Sequence, residues 1–262
     1  MLNKNQLEQI DRLVKKVGDF QIHNQSKVVS SDIEEKSLNQ LVSFVDIESE
    51  NMLVNGLSKI TPSAGFLTEE NTVTQQNEEL YWIIDPLDGT TNYLFGHSKY
   101  SISIALYQNK KPVYAHVFVP PDNESFVGKH DGAFLNGKKI TVSTRNELTD
   151  TLIATGFPYY KFDEMEAYTK CLTKLMRETK GIRRMGSAAI DLAYTACGRF
   201  DAFYELNLSP WDVAGGSYIV QQAGGLVSDF DNKNNFVFGN SILAGNPNIH
   251  SKMIELIRKE FN

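Results

Sequence analysis

The sequence predicts an α+β first half joined to an α/β second half, and three observations carry that prediction. Between residues 100 and 142, apolar residues alternate with a period of two, as in "SISIALY" and "PVYAHVFVP", which is the pattern of antiparallel sheet. Beyond about residue 148, strand-like runs such as "TLIATG" and "FDAFYEL" alternate with helical ones, the signature of an α/β arrangement. The 262 residues are 41% hydrophobic and 22% charged, ordinary globular composition with enough chain for an ample core. The change of texture divides the chain into residues 1–147 and 148–262, read as two tightly joined subdomains.

Leu7, Ile10, Val14 and Val17 recur at helical spacing, so the chain is expected to open on a helix lying against a sheet. Residues 21–40 are polar and weakly patterned and read as a long loop. "LVSFVD" then reads as a short extended stretch, followed by a second helix from about Asp46 to Lys59 with Leu53, Leu57 and Ile60 on one face. "AGFLTEEN" leads to paired glutamates, and "YWIID" is a strand. Ile102, Ile104 and Leu106 share one face of the next strand, and the Asn-Gly pair in "GAFLNGKKI" signals a hairpin.

In the second half a charged helical segment runs to Glu178, and "GSAAIDLAYTACG" is a helix closed by Gly198. "SPWDVAGGSYIVQQAGG" is a helix with Ser209 as N-cap, Pro210 in the first turn and Gly224 as stop. "SILAG" is a strand, and "IHSKMIELIRKE" is the last helix.

Net charge is −6, and no block of Lys and Arg stands out, which argues against nucleic acid or an acidic membrane surface as partner. Cys171 and Cys197 read as core thiols in a reducing cytoplasm. "MLNKNQLEQIDRLVKK" is amphipathic and lacks the apolar core of a signal peptide, and no run approaches membrane-span length. A soluble cytoplasmic protein is expected.

Carboxylates fall beside strand ends and helix starts at four places: Asp46, Glu69–Glu70, Asp85/Asp88 and Asp212. Gathered in one pocket they would repel one another and hold protons unless cations compensated. Magnesium suits such a set, because it takes hard oxygen ligands and keeps waters for a substrate phosphate. In "DPLDGTTN", Asp85 could bridge two ions, Pro86 could turn the Leu87 carbonyl into a ligand, and Asp88 could point back into the pocket. Gly89 permits the turn, and the N–H groups of Gly89 and Thr90 could cradle phosphate oxygens. Each piece has a plainer reading alone. An Asp-Gly pair is most often a turn, a glutamate pair a solvated surface, and the aspartate of "PWD" a first-turn charge favouring the helix dipole. The full string with "TEEN" upstream and "SPWDVAGG" downstream is more specific. The five histidines and two cysteines show no spacing of a zinc site or a catalytic triad.

These strings closely resemble the inositol monophosphatase family of magnesium-dependent, lithium-sensitive phosphatases. The resemblance rests on "WIIDPLDGTTNY" at 82–93 and "WDVAGGSYIVQQAGG" at 211–225. "TEEN", "ATGFPY" and "GIRRMGSAAIDLAYTACGRFDAFYE" support it, so that it spans nearly the whole chain. It implies a layered αβαβα sandwich, commonly a homodimer, with the site between the subdomains. It also implies one magnesium held by Glu69, Asp85 and the Leu87 carbonyl, and a second held by Asp85, Asp88 and Asp212. A third, weaker ion would sit near Glu69, with Glu70 as support behind the ligands.

Thr90, hydrogen-bonded to Asp46, would orient and deprotonate the attacking water. Gly186, Ser187, Ala188 and Glu205 would meet the polyol end of the substrate. The chain departs from the family pattern at Thr68 and Phe95, where glycine and histidine are common, and the loop 21–40, which in relatives can host a lysine near the third ion, aligns poorly, with Lys27 or Lys36 able to serve. The implied activity is hydrolysis of inositol monophosphate or a similar polyol or sugar phosphate. Fructose-1,6-bisphosphatase, histidinol-phosphatase and a phosphatase-like regulatory partner are the alternatives.

Overall fold

A computed structural model describes residues 2–28, 33–37, 40–73, 79–157 and 163–261. Helix α1 (Lys4–Gln25) begins at a reciprocal cap, in which the Asn3 side chain accepts the Gln6 N–H and the Gln6 side chain accepts the Asn3 N–H. Strands β1 (Ile33–Ser37) and β2 (Gln40–Ser43) form an antiparallel pair ahead of helix α2 (Phe44–Ile60). The loop expected over residues 21–40 is thus partly helix and partly strand. The helix persists through its polar end because Gln21 and Gln25 have tertiary partners. Gln21 is fully buried, with its carbonyl accepting the Tyr93 hydroxyl, and Gln25 donates to the Tyr93 carbonyl.

Seven strands make the first large sheet, in chain order across it: β3 (Gly65–Thr68), β4 (Leu80–Asp88), β5 (Ser101–Gln108), β6 (Lys111–Val119), β7 (Glu124–Lys129), β8 (Gly132–Leu135) and β9 (Lys138–Ile140). Only β3 runs parallel to its neighbour, and the other pairs are antiparallel, including the β8–β9 hairpin at Asn136–Gly137. A five-residue helix, α3 (Thr90–Leu94), follows β4.

The second sheet has five strands, with β10 (Leu152–Thr155), β11 (Gly181–Arg183) and β12 (Ala202–Leu206) parallel and β14 (Ser241–Gly245) antiparallel to both β12 and β13 (Leu226–Ser228). Helices α4 (Met165–Glu178), α5 (Ala188–Ala196), α6 (Pro210–Gln222) and α7 (Pro247–Phe261) complete the chain. Among the described residues no helix is long and apolar enough to cross a membrane.

Apolar packing fills the interfaces between five layers. Ile10, Val14 and Leu53 of α1 and α2 pack on Trp82, Ile84, Ile102, Ile104 and Leu106, one face of the seven-stranded sheet. The other face, with Ile83, Ala105 and Val117, meets Ile190, Leu192 and Ile219 of α5 and α6, which in turn cover Phe203 and Ile242 of the second sheet. The far face of that sheet, with Ile153, Tyr204 and Leu243, is closed by Leu175 of α4 and Met253 of α7. The result is the layered helix–sheet–helix–sheet–helix order.

The middle helical layer is close-packed on both sides, which explains the paired glycines of α6. A Cβ on Gly215 would lie 2.6 Å from Ser103 Oγ, and one on Gly216 would lie 2.5 Å from Leu192 Cβ. Small residues there let α6 pass between sheet and neighbouring helix.

Candidate active site

The β4 strand ends in a ladder irregularity. Asp85 pairs with Ser103 and Asp88 with Ser101, so two residues intervene on one strand and one on the other. Pro86 fits this bulge because it has no N–H to give to a ladder. The Leu87 N–H turns inward to the Asp85 side chain at 3.0 Å. Gly89 then takes a left-handed conformation, φ +94°, with Lys99 O and Gly186 O at 3.0 and 3.1 Å from where a Cβ would sit. Strand, bulge and turn together put Asp85 and Asp88 on the same side of the chain.

Asp88 is seated by helix α5. Its Oδ2 accepts the Ser187 hydroxyl at 2.6 Å and the Ala189 N–H at 2.7 Å. Gly186 and Ser187 are fixed in turn by Asn92, which donates to the carbonyls of Lys99 and Met185. Asp212 lies in the first turn of α6, where its carboxylate accepts the Ser209 N–H at 2.6 Å. Ligand oxygens of Asp85, Asp88 and Asp212 lie within 4.8 Å of one another.

Such a cluster is electrostatically unfavourable by itself. Burial, and then the charges of Glu69, Asp88 and Asp212, raise the Asp85 carboxyl well above its usual range. Burial pushes Asp88 up to about 6, and burial with the Asp88 charge pushes Asp212 up to about 7. Glu205 rises to about 8 through burial and the Asp212 charge, against a lowering by Arg184. Among the described residues no lysine or arginine forms an ion pair with Asp85, Asp88 or Asp212. Hard, converging, uncompensated oxygen donors fit a divalent cation. The acidic string at the end of β4 therefore has the geometry of a cation site rather than of turn punctuation alone.

Thr90 stands beside this cluster. Its Oγ1 lies 3.0 Å from Asp46 Oδ1 and 3.0 Å from the Leu87 carbonyl. Asp46 is almost fully buried, and its other oxygen accepts the N–H and hydroxyl of Ser43, so it also caps α2. Burial raises the Asp46 carboxyl, and hydrogen bonds from Ser43 and Thr90 oppose that rise.

The candidate residues from the sequence therefore gather in one place: Asp46, Glu69, Asp85, Leu87, Asp88, Gly89, Thr90, Gly186, Ser187 and Asp212. Glu205 joins them through the Asp212 charge, which helps to raise its carboxyl, and its carboxylate lies where a side chain on Gly156 would be. Ala188 follows Ser187 in the first turn of α5. Glu70 is joined through its backbone N–H, which donates to Glu50. Lys27 approaches His23 within its own helical turn and loop, and the Lys36 side chain lies outside what the structure describes.

Two buried carboxylates here were not singled out from the sequence. Glu50, one helical turn after Asp46, accepts hydrogen bonds from the loop that carries Glu69 and Glu70. Asp191, one turn after Ser187, is buried and raised well above its usual range by burial and then by the Glu205 and Asp88 charges. The signal available for both was the four-residue spacing from a site residue on the same helix.

Fold and site define a layered α+β protein with a half-buried acidic centre of cation-binding type where the two large sheets and their middle helices meet. The chain belongs to the inositol monophosphatase family, whose profile matches residues 4–261. It is 36% identical over 253 residues to the Nus factor SuhB of Escherichia coli K12, covering 96% of this chain and 95% of that one. The extragenic suppressor protein suhB of Bartonella henselae has the same fold with a TM-score of 0.91, 36% identity and coverage of 98% and 99% of the two chains. An IMPase from Thermotoga maritima matches with a TM-score of 0.86 at 30% identity, over 95% of each chain.

Proposed function

We propose that this chain is a magnesium-dependent phosphomonoester hydrolase acting on inositol monophosphate or a similar polyol or sugar phosphate. The convergence of Asp85, Asp88 and Asp212 beside the Thr90–Asp46 pair carries this reading. Glu69, Asp85 and the Leu87 carbonyl would hold one ion, and Asp85, Asp88 and Asp212 a second. A third would bind more weakly near Glu69. Magnesium so held would neutralise phosphate charge and lower the pKa of a nearby water.

The protein's own groups then do the positioning. Thr90 has a single hydroxyl proton and two acceptors in reach, so a lone pair is left to receive a hydrogen bond from the attacking water. As the water oxygen bonds to phosphorus, its proton passes to Thr90 while the Thr90 proton moves to Asp46, whose raised carboxyl favours taking it. The ester P–O bond breaks on the opposite side, and the leaving alkoxide takes a proton from solvent. Backbone N–H groups of Gly89 and Thr90 face the phosphate, and Gly186, Ser187, Ala188 and Glu205 face the polyol.

The division at 147/148 falls between the last strand of one large sheet and the first of the other. We place the protein as a homodimer in the cytoplasm, a setting that suits its free cysteines, Cys171 and Cys197.

Phosphate release from inositol-1-phosphate and fructose-1,6-bisphosphate, with and without magnesium, tests this reading. Faster magnesium-dependent turnover of the monophosphate is expected. Preference for the bisphosphate, or for histidinol phosphate in the same panel, would keep the mechanism and change the substrate. The Nus factor name of the Escherichia coli relative favours a second reading, a phosphatase-like chain that also serves as a regulatory partner. With net charge −6, that partner is better sought among proteins than nucleic acids. Partner binding that survives Asp88→Asn while hydrolysis is lost would support it.

A further inference from the structure

Glu50 has no place in the chemistry just described, yet it is one of the most constrained carboxylates in the molecule. It is fully buried on α2. Its Oε2 accepts the Glu70 N–H at 2.8 Å, and its Oε1 accepts the Thr72 N–H at 2.9 Å and the Thr72 hydroxyl at 2.7 Å. Among the described residues no lysine, arginine or histidine pairs with it. A buried carboxyl group met by N–H and O–H donors is costly to keep, and an apolar side chain would fill the space more cheaply. The question is what the three donors hold in place.

They belong to the segment that follows β3 and carries Glu69. Asn71, at its centre, has φ +53°, a left-handed conformation that a non-glycine residue adopts at some cost. The two N–H groups that Glu50 binds flank Asn71, so one carboxylate fixes the peptide planes on both sides of the turn. On the near side, the Glu69 N–H reaches the Ile84 carbonyl of β4, one residue before Asp85. Glu69 is therefore pinned between the strand that bears Asp85 and the carboxylate of Glu50. Asp46 and Glu50 stand one turn apart on α2, the first gripping Thr90 and the second gripping residues 70–72.

We propose that Glu50 is a positioning residue that holds the 69–72 segment so that the Glu69 carboxylate faces Asp85 ready for a divalent cation. This rests on the reading of Glu69 as a metal ligand. Gln at position 50 keeps the shape but cannot accept from both sides, because its amide NH2 opposes one of the segment's donors. Removing a partner that orients a metal ligand typically weakens the metal by about 10- to 100-fold.

The test uses the full-length protein without substrate, titrated with Mn2+ and followed by the electron paramagnetic resonance of the free ion. Wild type, Glu69→Gln, Glu50→Gln and Thr72→Val are compared, with the magnesium activation constant and the KM for ester at saturating magnesium measured beside them. Glu50→Gln is expected to weaken one class of Mn2+ site by about tenfold, matching the class lost in Glu69→Gln and sparing the other. Thr72→Val, which removes only one hydroxyl donor, should shift the same class by a smaller factor and remain folded. The activation constant should rise in both while KM at saturating magnesium holds, a split that general loosening of the fold would not produce. Wild-type Mn2+ affinity in Thr72→Val and in folded Glu50→Gln, with a class lost in Glu69→Gln, overturns the inference and leaves the ligand assignment standing. Equal binding by wild type and Glu69→Gln overturns both together.

Discussion

Thr90 Oγ1 sits 3.0 Å from Asp46 Oδ1, joining the turn after β4 to the first turn of α2 across 44 residues of sequence. The same Asp46 carboxylate caps its own helix through Ser43, so capping and the grip on Thr90 share one group. Thr90→Ala keeps that cap and removes only the hydroxyl that receives the water proton. Turnover should fall by about 10²- to 10⁴-fold, the usual contribution of a positioned proton acceptor, with Thr90→Ser retaining most activity. Steady-state phosphate release at saturating magnesium checks this, and near-wild-type turnover in Thr90→Ala would remove Thr90 from the mechanism.

Asp85→Asn and Asp212→Asn should each lower turnover by orders of magnitude at modest magnesium, since each removes a ligand and some stabilisation of transition-state charge. In the absence of metal the same changes should leave the fold intact or firmer, because each relieves repulsion in a crowded acidic cluster. Loss of activity accompanied by a lower metal-free melting temperature would point instead to a structural role.

The same cluster sets a pH dependence of stability. In the folded, metal-free protein the carboxyls are raised, Asp88 to about 6, Asp212 to about 7 and Glu205 to about 8. An unfolded chain releases those protons near pH 4. Between these values the folded state holds more protons than the unfolded one, so stability falls as pH rises from about 4 to about 8. Magnesium should cancel much of that loss and raise the melting temperature more at pH 8 than at pH 5.5. Thermal melts with and without magnesium at the two values measure it, and an equal increment at both would contradict the assignment.

Much of this was legible in the sequence, for physical reasons that differ by element. Strands β5 and β6 follow a period of two, and Ile102, Ile104 and Leu106 do share one face. Helix α6 carries its start in Ser209 and Pro210 and its packing in Gly215 and Gly216. The acidic strings were visible because they sit at strand and helix ends. The end of α1 was not, since Gln21 and Gln25 are held by Tyr93 and His97, partners far away in sequence. Glu50 escaped for the same reason: a glutamate within "DIESEN" looks solvated until the fold brings residues 70–72 onto it.

The glycines of α6 give a prediction about stability alone. A methyl group at Gly216 would lie 2.5 Å from Leu192 Cβ, an atom fixed to the backbone of α5. Neither helix can yield easily in a layer covered by sheets on both sides. Gly216→Ala should destabilise the protein by about 1–3 kcal/mol, the usual cost of overpacking, outweighing the helix propensity gained. A denaturant melt reads this directly, and an unchanged midpoint would mean that the middle layer has slack.

Gly156 bears on substrate rather than on metal. It follows β10, and its missing side chain leaves the space that the Glu205 carboxylate occupies. A methyl group there would overlap Oε1, so Gly156→Ala must drive the Glu205 carboxylate aside. Glu205 is proposed to meet polyol hydroxyls, whereas Asp85, Asp88 and Asp212 reach the cluster from β4 and α6 and need not move. Gly156→Ala should therefore raise KM for inositol-1-phosphate by about tenfold, the loss of one hydrogen bond. The magnesium activation constant should stay near its wild-type value. An aryl phosphate without hydroxyls to recognise serves as the control, and its KM should change little. If KM rises equally for both esters, Glu205 does not read the polyol, and the specificity of the site lies with Ser187 and Ala188 instead.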